Sequence, residues 1–207
     1  MRNKYLNISK EDERQARALG ARRDPVRKRW YIPDHIDRQL FEKWIPFLSI
    51  ELVPKTCWYS NVRSIVPPDI WETLKKRTFH KASYVCEVCG GKGRTWPVEC
   101  HEIWSYDDRL HIQKLQGLIA LCPPCHEVKH MGFANTQGRG EIAMQHLATI
   151  NHWSTQRANE YVLNCFHLWQ QRSQHPWTLD ITWLETLGIS TPNIDRDPLK
   201  TSCSARP

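Results

Sequence analysis

The sequence predicts an α+β protein, in which a small N-terminal α/β module precedes a larger domain with flanking helices. Three observations support this prediction. Short segments with helical and strand character alternate over residues 1–48. Two Cys-x-x-Cys pairs, Cys86/Cys89 and Cys122/Cys125, enclose a segment with the pattern of two strands. A helical pattern follows the second pair, so the larger domain is predicted to be a strand, strand, helix element stabilised by zinc.

The N-terminal module has the signals of two helices and one strand. A capping box that starts at Ser9 predicts a helix over residues 11–19. Residues 28–32 have the composition of a strand. A second helix is predicted over residues 36–45, because Pro46 cannot continue it.

A basic cluster lies between the first helix and the strand of the module. The first 50 residues contain 12 Lys and Arg against 7 Asp and Glu, whereas the rest of the chain contains 17 against 15. This surplus suits an anionic partner such as DNA, although a solvated basic turn has the same composition. The candidate nucleic-acid-binding residues of the module are Arg22, Arg23, Arg27, Lys28 and Arg29.

Four short strings in the module carry a resemblance to a known domain. They are Tyr-Leu-Asn-Ile at residues 5–8, Ala-Leu-Gly-Ala-Arg at 18–22, Asp-Pro at 24–25 and Arg-Trp-Tyr-Ile-Pro at 29–33. Together they resemble a short domain of uncharacterised function that recurs in plasmid primase-like and mobile-element proteins. That family usually has a tryptophan where Arg23 stands.

The larger domain is predicted to span residues 49–192, with a linker at its start. Residues 49–54 form the candidate linker, and a helix is predicted over residues 70–82. Two strands are predicted over residues 98–104 and 111–121. Two prolines break the second strand, and a helix opens at His126.

The C-terminal part of the chain has mainly helical patterns. An amphipathic helix is predicted over residues 141–150, and Ser154 is predicted to cap a longer helix that ends near residue 173. A last apolar segment covers residues 177–187. Residues 193–207 lack a burying pattern, which predicts a disordered tail.

Composition indicates a cytoplasmic protein without a membrane partner. The chain has 207 residues, of which 40% are hydrophobic, and its apolar runs are too short to span a bilayer. An acid-rich segment follows the N-terminus instead of an apolar signal core. Eight cysteines in such a chain favour metal binding over disulfides, because cytosolic thiols stay reduced. The sequence leaves a homo-oligomer open.

The two cysteine pairs predict one structural zinc site. Thirty-two residues separate Cys89 from Cys122, and zinc readily closes a site of four thiolates. The second pair with His126 also matches a haem-attachment string, but haem attachment needs an exported chain and leaves the first pair unexplained. The predicted zinc ligands are Cys86, Cys89, Cys122 and Cys125.

Three strings around this site resemble the HNH endonuclease family. They are Cys-Glu-Val-Cys-Gly-Gly at residues 86–91, Glu-Cys-His-Glu-Ile-Trp at 99–104 and Leu-Cys-Pro-Pro-Cys-His-Glu-Val-Lys-His at 121–130. The resemblance implies a ββα-metal fold that holds a catalytic divalent metal, Mg²⁺ or another, between a hairpin and a helix. The central asparagine of the family falls on Gly117, so its side chain is missing here.

The resemblance implies roles for the polar residues between the cysteine pairs. His126 would bind the catalytic metal, and His130 would be a second ligand or a phosphate contact. In one register Cys100 and His101 form the first-strand pair and His101 is the general base. In the other, His101 binds the metal and Glu102 activates water. Lys129 is a candidate contact to the DNA backbone, and Glu99 is a further candidate metal ligand.

The leading hypothesis is therefore a metal-dependent HNH endonuclease that hydrolyses DNA, with the basic module assisting substrate capture. Its predicted catalytic residues are His101 and Glu102. A base and a cation together suit hydrolysis of a phosphodiester, which needs activated water and neutralised phosphate charge. The rival hypothesis is a non-catalytic zinc-ribbon adaptor that binds nucleic acid or protein.

Overall fold

The N-terminal module is built on a three-stranded antiparallel sheet with the strand order β1-β3-β2. The computed structural model describes residues 4–26, 29–58 and 61–189. One α-helix packs on this sheet, and a 3₁₀ helix follows the third strand. The elements are β1 (Lys4–Leu6), α1 (Glu13–Ala18), β2 (Arg22–Asp24), β3 (Arg29–Ile32) and the 3₁₀ helix Arg38–Trp44.

Aromatic side chains fill the core of the module. Trp30 of β3 is buried with Phe41 and Trp44 of the 3₁₀ helix. The sequence predicted an α-helix over residues 36–45, whereas the structure has a 3₁₀ helix there. A 3₁₀ helix eclipses side chains three residues apart, which brings Phe41 and Trp44 onto one face. Both rings are thereby buried with Trp30 in the core of the module.

Arg29 joins the module to the first cysteine pair. Its Nη1 donates to the carbonyl oxygen of Cys86 at 2.9 Å, and its Nη2 donates to that of Glu87 at 2.6 Å. The ring of Tyr5 also lies against Gly90, where an added Cβ would come within 2.5 Å of the ring. The guanidinium of Arg29, one of the predicted phosphate contacts, is therefore directed at the backbone of the first cysteine pair.

Arg29→Ala is expected to lower the free energy of unfolding by about 2 kcal/mol, because it leaves two carbonyl oxygens without a charged donor. Arg23 is exposed on β2, so Arg23→Ala should change the stability by less than about 0.5 kcal/mol. Urea unfolding followed by tryptophan fluorescence measures both values. Equal stability of the two variants would show that the Arg29 contacts do not hold the module in place.

A long hairpin forms the centre of the second sheet. Strands β4 (Glu99–Asp107) and β5 (Ile112–Leu121) are antiparallel, and β6 (Thr178–Asp180) pairs in parallel with β5. The predicted strands over residues 98–104 and 111–121 are confirmed, with β4 extending to Asp107. β6 was not predicted, because three residues are too few for a periodic pattern.

The hairpin has one irregularity and a closed turn. Its register shifts beside Ile103, which faces Gly117. At the turn, Oδ1 of Asp107 accepts hydrogen bonds from the amides of Arg109 at 3.0 Å and Leu110 at 2.9 Å. The side chain that braces the hairpin turn is therefore supplied by Asp107 and not by residue 117.

Helices cover both faces of the hairpin. Trp71 and Leu74 pack with Leu115 on one face, and Val128 and Leu147 form part of the core on the other. The α+β class predicted from the sequence is confirmed, with two small sheets. The further elements are 3₁₀ Lys55–Cys57, α2 (Val62–Ile65), α3 (Pro68–Lys81), α4 (Pro123–Lys129), α5 (Met131–Thr136), α6 (Gly140–Asn151), α7 (Thr155–Arg172) and 3₁₀ Thr182–Leu187.

The helix signals of the C-terminal part agree with the structure. Oγ of Ser154 accepts a hydrogen bond from the amide of Arg157 at 3.2 Å, which confirms Ser154 as the cap of α7.

Among the described residues, no helix combines the length and the apolar character needed to cross a membrane. The tail predicted to be disordered, residues 193–207, lies outside the described residues.

The strap is the segment of residues 48–53. It runs through the second core, which is the core that contains Val128 and Leu147 beside the hairpin, and it does not link two units. Leu48 is fully buried, and its backbone exchanges two hydrogen bonds with the side chain of Asn151. The amide of Ile50 donates to the hydroxyl of Tyr161 at 3.3 Å. The linker predicted over residues 49–54 is therefore corrected, because the contacts that hold this segment come from residues about a hundred positions later.

Candidate functional site

The four cysteines of the two pairs lie together at the end of the hairpin. The four Sγ atoms are all within 4.8 Å of one another, and the Sγ atoms of Cys89 and Cys122 are 3.5 Å apart. Cys122 is the N-cap residue of α4, and Cys125 lies in its first turn. Cys86, Cys122 and Cys125 are buried, so the cluster is part of the second core.

This cluster has the chemistry of a structural metal site. Hydrogen bonds from the thiols of Cys122 and Cys125 lower the pKa of the Cys86 thiol, whereas contacts with Cys122, Cys86 and Cys89, together with burial, raise the pKa of Cys125. Four adjacent thiols therefore cannot all ionise without a cation among them. Four cysteine thiolates favour zinc over hard ions such as Mg²⁺, and zinc takes such a set in a tetrahedral structural site. The cluster could accordingly hold a structural zinc.

Hydrogen bonds to the sulfurs complete the cysteine cluster. The amide of Gly91 donates to Sγ of Cys89 at 3.3 Å. The Nε2 atom of His146 lies 3.2 Å from Sγ of Cys125. All seven cysteines within the described ranges are free thiols, so no disulfide among them involves the four sulfurs of the cluster. No sequence pattern predicts the His146 contact.

A second cluster consists of three imidazoles between the hairpin and α4. His101 comes from β4, His126 from α4 and His130 from the end of α4. One ring nitrogen of each lies within 4.8 Å of the others, and the Nε2 atoms of His126 and His130 are 3.2 Å apart. His101 is buried and His130 is exposed, so the cluster opens to solvent on one side.

Two carboxylates contact the imidazoles. Oε2 of Glu99 lies 2.5 Å from Nδ1 of His126, and Oε2 of Glu51 lies 3.3 Å from Nε2 of His101. Metal-binding histidines commonly have a carboxylate on the ring nitrogen that does not bind the metal. His101 and His126 each therefore keep one ring nitrogen available for a metal.

His101 and His130 are held in the neutral form that metal binding requires. Burial lowers the pKa of His101 well below its usual range, and the nearby charges of His126 and Lys129 act in the same direction. Desolvation, with the two other imidazoles, also lowers the pKa of His130 to about 3. Neutral imidazole is the metal ligand, because a protonated ring has no free lone pair.

Glu51 belongs to the strap and is not among the site residues predicted from the sequence. Burial raises its pKa to about 7, while the ammonium of Lys129 opposes the shift. Its contact with His101 is therefore a hydrogen bond of a neutral imidazole and not an ion pair with imidazolium. No local signal identifies Glu51, because fifty residues separate it from His101 and its surroundings have the composition of a linker.

Glu102 and Cys100 point away from the three imidazoles. Oε1 of Glu102 accepts a hydrogen bond from the amide of Val62 at 2.7 Å, at the start of α2. Burial raises the pKa of Glu102 to about 7 and that of the Cys100 thiol to about 12. β4 is regular at this point, so alternate side chains take opposite faces. The structure therefore places neither neighbour of His101 on the imidazole face.

Glu102→Gln is expected to change the pH dependence of stability. The pKa of Glu102 rises from 4.5 to about 7 on folding, so its contribution is full below pH 4.5 and is lost as the pH rises through 7. Relative to the variant, the wild type should lose up to about 3 kcal/mol over this range. Urea unfolding at pH 5 and pH 7.5 measures the difference. Parallel pH profiles would contradict the assigned environment.

The predicted DNA contacts have different surroundings. Nζ of Lys129 donates to Oγ of Ser49 at 2.7 Å, and its side chain is only 12% exposed, which directs it at the strap and not at solvent. The phosphate role of Lys129 stays a prediction. Arg22 and Arg23 are exposed on β2. Residues 27 and 28, the predicted contacts Arg27 and Lys28, lie outside the described residues.

Comparison with known proteins assigns a family model to the module alone. Residues 4–46 match the model of a family described as Domain of unknown function (DUF5710). The match covers the sheet, α1 and the 3₁₀ helix of the module. No curated protein and no solved structure matches the chain. The cysteine and imidazole clusters lie outside the matched residues, so their function has to be argued from their geometry.

Proposed function

We propose that the protein is a metal-dependent endonuclease of the HNH type that hydrolyses phosphodiester bonds in DNA. The observation that carries this proposal is the three-imidazole cluster of His101, His126 and His130, formed by a hairpin and a helix. A separate group of four cysteines lies at the same junction, where zinc would serve as scaffold. Two sites with different ligand chemistry suit one structural and one catalytic ion.

The residues of the imidazole cluster suit catalysis by a bound cation. His101, His126 and His130 would hold a divalent ion in a site with an open position, and three imidazoles suit a transition ion such as Mn²⁺ better than Mg²⁺, which prefers oxygen ligands. Such an ion would activate water and would neutralise charge on the phosphate and the leaving oxygen. Glu99 would orient the ring of His126 by accepting a hydrogen bond from its Nδ1–H group. With Glu102 on the opposite face, the proposal assigns His101 to the metal and gives Glu102 a structural role.

Charge supports an anionic substrate. The chain carries a formal net charge of +7, and the surplus is concentrated in the first 50 residues. Arg22 and Arg23 extend from an edge strand into solvent, where they could contact phosphates. The exposed edge of His130 provides the opening through which a phosphodiester would reach the cluster.

Plasmid cleavage tests the proposal. Supercoiled DNA is incubated with zinc-loaded protein and Mg²⁺ or Mn²⁺, in parallel with His101→Ala and with His167→Ala, which changes an exposed histidine on α7. We expect metal-dependent nicking by the wild type and His167→Ala, and its loss in His101→Ala. Zinc content and circular dichroism verify that the variants fold. Equal nicking by wild type and His101→Ala would indicate a contaminant and refute the proposal.

A second candidate function is a non-catalytic zinc-ribbon adaptor. Glu102 faces away from the imidazoles, so the residue predicted to activate water does not reach the cluster, and Gly117 contributes no side chain. The adaptor hypothesis predicts that zinc-loaded protein binds DNA in a mobility-shift assay without cleaving it at any Mn²⁺ concentration. Metal-dependent nicking excludes it.

A further inference from the structure

We infer that Glu51, carried by the strap, is a positioning residue that fixes the ring orientation and tautomer of His101. The inference rests on the proposed function, since it assigns Glu51 to the same metal site. Oε2 of Glu51 lies 3.3 Å from Nε2 of His101, and the two side chains are only 10% and 6% exposed. A buried carboxylate is costly unless it has a polar partner, and His101 is nearer to it than Lys129, whose Nζ is 3.8 Å away.

Backbone hydrogen bonds of the strap hold Glu51 in place. The amide of Glu51 donates to the carbonyl oxygen of Lys129 at 3.0 Å, which connects Glu51 to the end of α4. Further along the strap, the carbonyl oxygen of Val53 accepts a hydrogen bond from Nε1 of Trp169 at 2.9 Å. Because α4 also carries His126, the same helix sets the positions of Glu51 and of the imidazole cluster.

Glu51 acts on the ring of His101 and is not a further metal ligand. The group of mutually close ligand atoms contains the three imidazoles but not this carboxylate. A neutral imidazole has one N–H donor and one acceptor, so a carboxylate at Nε2 selects the tautomer with the proton there. Nδ1 then keeps its lone pair. Glu99 makes the corresponding contact with His126, through the opposite ring nitrogen.

Nitrogen NMR of the imidazoles tests this role without needing catalysis. Zinc-loaded wild type, Glu51→Gln and Glu51→Ala are compared, since the glutamine amide oxygen still accepts a hydrogen bond whereas alanine does not. We expect His101 of the wild type and Glu51→Gln to be protonated at Nε2, and His101 of Glu51→Ala to be a mixture of tautomers. Asp24→Asn removes the charge of another buried carboxylate, in the module, and should leave the His101 signals unchanged.

Binding of Mn²⁺ to the zinc-loaded proteins provides the second readout. Loss of an orienting carboxylate typically weakens metal affinity by about 10–100-fold, so we expect this loss in Glu51→Ala and a smaller one in Glu51→Gln. Wild-type tautomer and wild-type Mn²⁺ affinity in Glu51→Ala, with cleavage intact, would overturn the positioning role alone. A tautomer that depends on Glu51, in a protein that never cleaves DNA, would support positioning and refute the proposed function.

Discussion

Cys125→Ser is expected to release the zinc and to unfold the larger domain. Three of the four cysteines are buried in the second core, so we expect zinc binding by the cysteine cluster to be coupled to folding of that core. Apparent free energies of structural zinc binding are about 10–16 kcal/mol, which is as large as the whole stability of a typical domain. Loss of the ion would also leave the remaining buried thiols without their common partner.

Elemental analysis and thermal unfolding measure this effect. The purified variant should contain less than one zinc per chain and should lack a cooperative melting transition for the larger domain. Cys165→Ser is the matched control, because Cys165 is a half-buried cysteine of α7 outside the cluster. It should retain zinc and lose less than about 2 kcal/mol. A stable Cys125→Ser protein with full zinc content would show that the four cysteines are not one site.

His126→Ala is expected to reduce DNA cleavage by at least about 1,000-fold while the zinc is retained. The imidazole of His126 is 3.2 Å from that of His130 and is oriented by Glu99, so its removal takes one of three ligands from the cation. Glu99→Gln should have a smaller effect, about 10–100-fold, because it changes the orientation of the ligand and not its presence.

Single-turnover cleavage at saturating Mn²⁺ and a Mn²⁺ titration separate the two effects. Glu127→Gln is the control on the same helix, since the carboxylate of Glu127 pairs with Arg139 at 2.6 Å and not with the imidazoles. It should cleave DNA at close to the wild-type rate. Wild-type cleavage by His126→Ala would remove this histidine from the site, and with it the main support for the proposed function.

Local sequence patterns determine several parts of the structure. The spacing within each cysteine pair allows two sulfurs of a tight loop to converge on one ion, whichever domain surrounds them. The four-residue spacing of His126 and His130 places both rings on one face of α4. Capping by Ser154 and the alternation along β4 are likewise short-range, because each depends on fewer than ten consecutive residues.

Contacts between distant segments were decided only by the tertiary structure. Periodicity predicts which side chains share a face, but not which other segment of the chain will cover that face. For this reason the strap had the composition of a linker, and Glu51 had no visible relation to His101. Arg29 and Lys129 are basic residues of the kind that contact phosphates, yet their side chains donate hydrogen bonds to a carbonyl and a hydroxyl oxygen of the protein. The partner of a charged side chain is a group that folding brings close to it. Local sequence patterns do not specify which distant residues will be close.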